Sequence, residues 1–167
     1  MPQILDEIEE CVPALRRYAR ALTHNPDLAD DLVQDCLERA IRKRALWRPS
    51  GSVRSWMFRI LLNVYRNDLR RRRRAPDLPL DTLQTDPPSL DTQSGRLALA
   101  ETAQAMQALP VEQREVLLLV AVEEMSYAEA AEVLAIPLGT LMSRLGRARA
   151  TLRRMTETGA PRLRSVK

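Results

Sequence analysis

One histidine, two cysteines, five glycines and only six aromatic side chains are few for 167 residues, and each scarcity closes off a class of chemistry. His24 is the single histidine and sits in the turn-like stretch HNPD, which gives little support for a general base. Cys11 and Cys36 lie at helical-looking positions with no CxxC or Cys/His grouping, so they read as buried, reduced thiols of a cytoplasmic protein rather than as metal ligands. No Walker loop, dinucleotide fingerprint or nucleophile elbow occurs. Aromatic residues at 4% point to helical leucine and alanine packing. The longest apolar run, Val116 to Val122, is far too short to span a bilayer, and no secretion signal opens the sequence. The expectation is therefore a protein that is not an enzyme, with no cofactor, metal, small-molecule substrate or membrane insertion.

What is present is charge, unevenly placed. The formal net charge is +4 and the isoelectric point about 9.6, which favour a polyanionic partner. Residues 1–74 hold 16 Lys/Arg and 10 Asp/Glu, a net of +6. Residues 75–95 hold four Asp and no basic residue, a net of −4, and residues 96–167 hold 10 and 8, a net of +2. The middle stretch, APDLPLDTLQTDPPSLDTQSG, contains Pro76, Pro79, Pro87 and Pro88 and has no sustained periodicity, so it reads as a flexible tether. The expected fold is all-α: a helical domain over 1–75, a Pro/Asp-rich linker over 76–95, and a helix-turn-helix domain over 96–167.

The helix-turn-helix lies in LPVEQREVLLLVAVEEMSYAEAAEVLAIPLGTLMSRLGRARATLRR. Ser126 with Glu129 three residues on forms a capping box. Ala130 and Ala131 are small where a second helix must cross closely. Pro137 ends one helix and can open the next. There Leu141, Leu145, Ala148 and Leu152 share one face, while Ser143, Gly146, Arg147 and Arg154, with Thr140 at the edge, share the other. A hydroxyl-and-arginine face at a helix N-terminus fits a major groove.

In the first half, Ile4, Leu5 and Ile8 suggest a short first segment, with Pro13 starting a helix that buries Leu15, Tyr18, Ala19 and Leu22. Asn25 and Pro26 read as N-cap and first residue of the next helix. Its buried stripe is expected to be Leu28, Leu32, Cys36, Leu37, Ala40 and Ile41. Asp27, Asp30, Asp31, Asp35 and Glu38 crowd its first half. Asp27 and Asp30 suit the helix dipole. The remaining acids, on a basic domain, suggest a face for a basic protein partner.

A third segment, SWMFRILLNVYRNDLRRRRR with Val53 just before it, places Val53, Met57, Ile60, Leu61 and Val64 on one side. Arg59, Asn63, Arg66 and Arg70 share the other, bordered by Trp56 and Asn67. Arginines there can neutralise phosphates, and the amide and indole can meet bases that have left the duplex. The run Arg70 to Arg74 repels itself unless a polyanion joins it.

Taken in order, DLADDLVQD, the basic-aromatic segment, the acidic Pro-rich linker, LPVEQREVLLL and SYAEAAEVLAIPLGTLMSRLGRAR resemble a bacterial RNA polymerase sigma factor of the small extracytoplasmic-function (ECF) group. The opening CVPALRRYARALT and the ALWRP motif resemble the alpha-proteobacterial general-stress branch. The resemblance implies that Asp30, Asp31, Leu32, Gln34 and Asp35 bind core RNA polymerase. It implies that Trp56, Arg59, Asn63, Arg66, Asn67 and Arg70 contact the opened downstream promoter element, Asn63 near a flipped base. Thr140, Ser143, Arg144 and Arg147 would contact the upstream element, and an anti-sigma factor would be a further partner. The sequence departs from the family pattern at Met142, where a basic residue is common, at Gly146, where a larger side chain is usual, and at Ala135, which replaces a turn glycine. Two other readings stay open. One is a sigma-like mimic that sequesters an anti-sigma factor; the other is a simple helix-turn-helix regulator.

Overall fold

The computed structural model describes residues 2–75 and 93–159, and most of the stretch read as a tether lies outside the described residues. Seven α-helices follow one another: α1 (Pro2–Thr23), α2 (Pro26–Lys43), α3 (Val53–Arg74), α4 (Gln93–Ala108), α5 (Val111–Ala121), α6 (Tyr127–Leu134) and α7 (Leu138–Gly159). There is no strand among the described residues, as the composition implied. Nor is any described helix long and apolar enough to cross a membrane.

The first three helices form a bundle. α1 runs unbroken through Pro13, where the sequence suggested a new start. Pro13 lacks one helix N–H and costs about 3 kcal/mol in a helix interior. It stands on the exposed side. Ile8, Cys11, Leu15, Tyr18, Ala19 and Leu22 make one continuous buried stripe across it. Each large apolar side chain contributes about 1.5–3 kcal/mol when buried, so the stripe outweighs the break.

α2 starts where expected: Asn25 Oδ1 accepts the backbone N–H groups of Asp27 (3.0 Å) and Leu28 (3.1 Å), and Pro26 follows the cap. Its buried face is rotated from the expected one. Ala29, Leu32, Val33, Cys36 and Ala40 are buried, whereas Ile41 is 44% exposed. Ala29 and Val33 turn inward because α1 and α3 flank α2 on adjacent sides.

α3 is capped by Ser52, whose hydroxyl accepts the Ser55 N–H at 3.1 Å. It buries Phe58, Leu62 and Tyr65 as well as the expected Val53, Met57, Leu61 and Val64. A one-sided stripe does not describe it, because α1 and α2 pack on one side and α6 on another. Phe58 meets Tyr18 edge-on at 5.3 Å, and the Arg54 guanidinium lies 5.4 Å from the Phe58 ring centre.

In the second half the capping box is present in both directions. The Ser126 hydroxyl accepts the Glu129 N–H at 3.2 Å, and Glu129 Oε2 accepts the Ser126 N–H at 2.9 Å. That backbone bond also holds the Glu129 carboxyl below its ordinary range. Ala130 and Ala131 are buried where α7 crosses, and Leu141, Leu145 and Ala148 are buried on α7 with Leu152 packed against them.

α6 ends on Ala135 in the left-handed region, φ 53° and ψ 46°. The Ile136 N–H then reaches back to the Ala131 carbonyl at 3.0 Å. A left-handed residue with a Cβ costs about 1–2 kcal/mol, and glycine gives back roughly 0.5–1 through its looser unfolded state. Ala135→Gly is therefore expected to stabilise the protein by about 0.5–1 kcal/mol. The check is a thermal melt, in which the midpoint should rise by a few degrees; a fall would mean that the turn is unstrained.

The two halves are not apart. α5 lies against α1 and α6 against α3, and the buried side chains of both halves form one continuous core.

Candidate nucleic-acid and docking faces

The acidic face stands on the outer side of α2. Asp30, Asp31, Gln34, Asp35 and Glu38 are exposed. Asp30 has a long ion pair with Arg20 at 3.9 Å. Leu32 departs from the expectation: it is 6% exposed and belongs to the core, so it can hold the face in place but not touch a partner. It turns inward because it sits one helical turn before Cys36 on the buried side. Ile41 and Leu46, farther along the chain, are exposed apolar side chains.

The α7 face is open. Ser143, Gly146 and Arg147 are exposed, as is Met142, while Thr140 and Arg144 are half-buried. Ala148 and Leu145 beneath them anchor α7 to α5 and α6, so the outward side chains ride on a rigid support.

The α3 face is only partly open. Asn63, Asn67 and Arg70 are exposed, and Trp56 is half-buried against the core. Arg66 is turned into a bidentate pair with Glu115 of α5, Nε to Oε1 at 3.1 Å and Nη2 to Oε2 at 2.8 Å. Arg59 donates to Glu132 of α6 at 3.4 Å. The arginine run is not wholly uncompensated either: Asp68 takes Arg71 at 2.6 Å and Arg72 at 2.9 Å. Arg70, Arg73 and Arg74 are exposed, with no acidic partner among the described residues.

The residues that hold the halves together escaped the sequence reading. The Glu123 carboxylate, 0% exposed, accepts Arg17 through both oxygens at 3.0 and 2.9 Å and Arg54 at 3.1 Å. Arg54 also donates to the Glu123 carbonyl at 2.6 Å. Glu115 is likewise buried, and its backbone carbonyl accepts the Tyr18 hydroxyl at 3.1 Å. Burial pushes the Tyr18 hydroxyl well above its usual range, so it stays a donor. The hydrogen bonds to Glu123 and Glu115 hold Arg17 and Arg66 above the ordinary arginine range, and both remain charged. A signal was available. Glu115 and Glu123 directly flank the run Val116 to Val122, and a carboxylate pulled in with such a run must find a cation.

Cys11 and Cys36 are buried free thiols, and burial pushes Cys36 up to about 12. Among the described residues no group of His, Cys, Asp and Glu could hold a metal ion.

An acidic face, a half-masked amide-and-arginine face and an open helix-turn-helix face are carried on two helical units. Comparisons with known proteins show the family. The model for the Sigma2 domain of PhyR matches residues 8–62, and that for Sigma-70 region 4 matches residues 99–152. The chain is 39% identical over 151 residues to the ECF RNA polymerase sigma factor EcfG of Rhodopseudomonas palustris, covering 88% of this chain and 81% of that one. It superposes on the sigma factor RpoE of Bartonella quintana, solved in complex with the anti-sigma factor NepR, with a TM-score of 0.80 at 29% identity, covering 94% of this chain and 98% of that one. The response regulator PhyR of Brucella abortus shares the fold alone, at 22% identity and a TM-score of 0.56, covering 88% of this chain and 43% of that one. The chain belongs to the ECF family of sigma factors, in its general-stress branch.

Proposed function

We propose that this chain binds core RNA polymerase in the cytoplasm and directs promoter recognition, strand opening and transcription initiation. In this reading Asp31, Gln34 and Asp35 dock on the polymerase. Ser143, Arg144 and Arg147 meet the upstream duplex element, and Asn63 with Asn67, Arg59, Arg66 and Arg70 meets the opened downstream strand. The observation that carries it is the coexistence, in one chain, of two differently built arginine-bearing polar faces and a separate acidic one. A simple duplex regulator has no use for an exposed amide between arginines on α3. Linking two modest readers raises their joint affinity without a large interface. The protein would work as a DNA-binding regulator with no catalytic group, and an anti-sigma factor is a further expected partner, by analogy with the RpoE–NepR complex.

The domain limits proposed from the sequence, 1–75 and 96–167 with a linker between, suit these roles. The mimic reading is the weaker one. The α7 arginines and the α3 amide, which a decoy does not need, are present here, and identity to EcfG is 39% against 22% to PhyR.

Asp31→Lys and Asp35→Lys are each expected to weaken binding to core polymerase by about tenfold, by turning electrostatic attraction into repulsion. Surface plasmon resonance on immobilised core would show it, with circular dichroism unchanged. Parental affinity in both variants would reduce the acidic face to a helix-dipole and solubility feature.

A further inference from the structure

Arg59 and Arg66, the two arginines of α3 placed beside Asn63, do not face solvent alone; both are held by carboxylates of the other half. Glu115 offers Arg66 two oxygens at 3.1 and 2.8 Å, the geometry in which an arginine grips a phosphate. Glu132 meets Arg59 at 3.4 Å. The two contacts are unequal. Glu115 is buried, whereas the Glu132 side chain is 68% exposed, and Arg59 Nε is buried with no partner among the described residues. Arg59 is thus poorly served by Glu132 and would be better served by an anion with more acceptor oxygens. Glu123 also bridges the halves, binding Arg17 of α1 and Arg54 at the start of α3, neither of which belongs to the Arg59–Asn63–Arg66–Arg70 stripe. On α7, Ser143, Gly146 and Arg147 stay exposed.

We infer that the chain masks its own strand-binding face: in the closed arrangement Glu115 and Glu132 take the place of DNA phosphates on Arg66 and Arg59, so that opening of the halves and binding of single-stranded DNA are one coupled equilibrium. This rests on the assignment of the α3 face to the opened strand. The upstream reader is available in both states and the downstream reader only in the open one. A closed chain can therefore meet duplex DNA but holds single strands weakly until the halves part. The Arg17–Glu123–Arg54 cluster, the Arg114 bond to Leu22 and the shared apolar core add closing strength without using any strand-binding residue. A competitor that offers phosphates to α3 opens the chain by binding the open state better than the closed one.

The test uses the full-length chain with donor and acceptor dyes on Lys43→Cys and Arg153→Cys, both exposed positions, the native thiols being buried. Energy transfer reports opening. Anisotropy of a short fluorescein-labelled single-stranded DNA of random sequence reports strand binding. Glu115→Gln with Glu132→Gln is expected to lower transfer and tighten strand binding about three- to tenfold, a modest shift of a two-state population. Glu101→Gln with Glu157→Gln, at exposed sites, makes the same change in net charge and should leave transfer alone and tighten binding less. Should Glu115→Gln impair folding, Glu132→Gln alone, at an exposed side chain, should move both signals in the same direction. Unchanged transfer in both latch variants overturns the inference, as does equal tightening in the charge control. Adding Arg59→Ala to the opened variant should abolish the gained affinity. Affinity that survives Arg59→Ala, with transfer still low, would place the failure in the strand-face assignment and not in the latch.

Discussion

Replacing Arg114 with methionine is expected to cost about 3 kcal/mol of stability, since hydrogen bonds from a charged group contribute roughly 1.5–3 kcal/mol and this guanidinium makes several at once. Its Nε donates to the Met106 carbonyl at 2.8 Å, one terminal nitrogen donates to Gln107 at 2.7 Å and Leu109 at 3.0 Å, and the other reaches the Leu22 carbonyl at 3.1 Å. Met106, Gln107 and Leu109 lie at the end of α4, where carbonyls have no helical donor. Leu22 lies at the end of α1, in the other half. One side chain therefore closes two helix ends and crosses between the halves. Burial, and then the nearby Arg114 charge, hold His24 below its usual range, so a proton there is disfavoured in the fold. Methionine keeps the aliphatic volume and removes the donors together with their charge. Guanidinium unfolding followed by circular dichroism should show a lower midpoint with little change in slope. A loss under ~0.5 kcal/mol would show that water serves those carbonyls equally well.

The second large effect concerns strand opening. Asn63 is exposed between Arg59 and Arg66 on α3, and a neutral amide adds little to phosphate binding. It makes sense as a reader of an unstacked base, offering both donor and acceptor. Extruding a base costs a few kcal/mol, part of which specific contacts recover. A good pair of such contacts is worth about 1–3 kcal/mol, so Asn63→Ala should slow open-complex formation by roughly ten- to a hundredfold while core binding and the closed complex stay near parental. Permanganate footprinting on a linear promoter and on a pre-melted one separates the roles. Pre-melting should restore part of the rate but not the preference at one downstream base. Full discrimination on the pre-melted template would move base reading to Asn67, Trp56 or the loop before α3.

What the amino acids disclosed was local. The Asn25 and Ser126 caps, the buried side of α7 and the left-handed turn at Ala135 each depend on residues within a turn or so of one another, and all are present in the fold. What stayed hidden depended on neighbours far along the chain. Pro13 looked like a helix start because its cost is local, while the stripe that overrides it gains its value only from α2 and α3. Phe58, Leu62 and Tyr65 did not fit a single stripe because α3 is covered from more than one side. Arg59 and Arg66 looked free because their carboxylates lie 73 and 49 residues away. Arg114, inside VEQREV, carries no local sign of its role for the same reason; one of its acceptors is 92 residues distant. The three faces themselves were legible, since exposed polar side chains at helical spacing need no partner within the fold. Their degree of masking was not.

The most direct test of the account is multi-round transcription in vitro with core RNA polymerase, a fragmented genomic DNA library and the purified chain, with transcript 5′ ends mapped by sequencing. Discrete start sites are expected only when the chain is added to core, preceded by two shared sequence elements at constant spacing, with Asn63→Ala reducing them all. Stable binding to an anti-sigma protein with no start site above core alone would contradict it and restore the mimic reading.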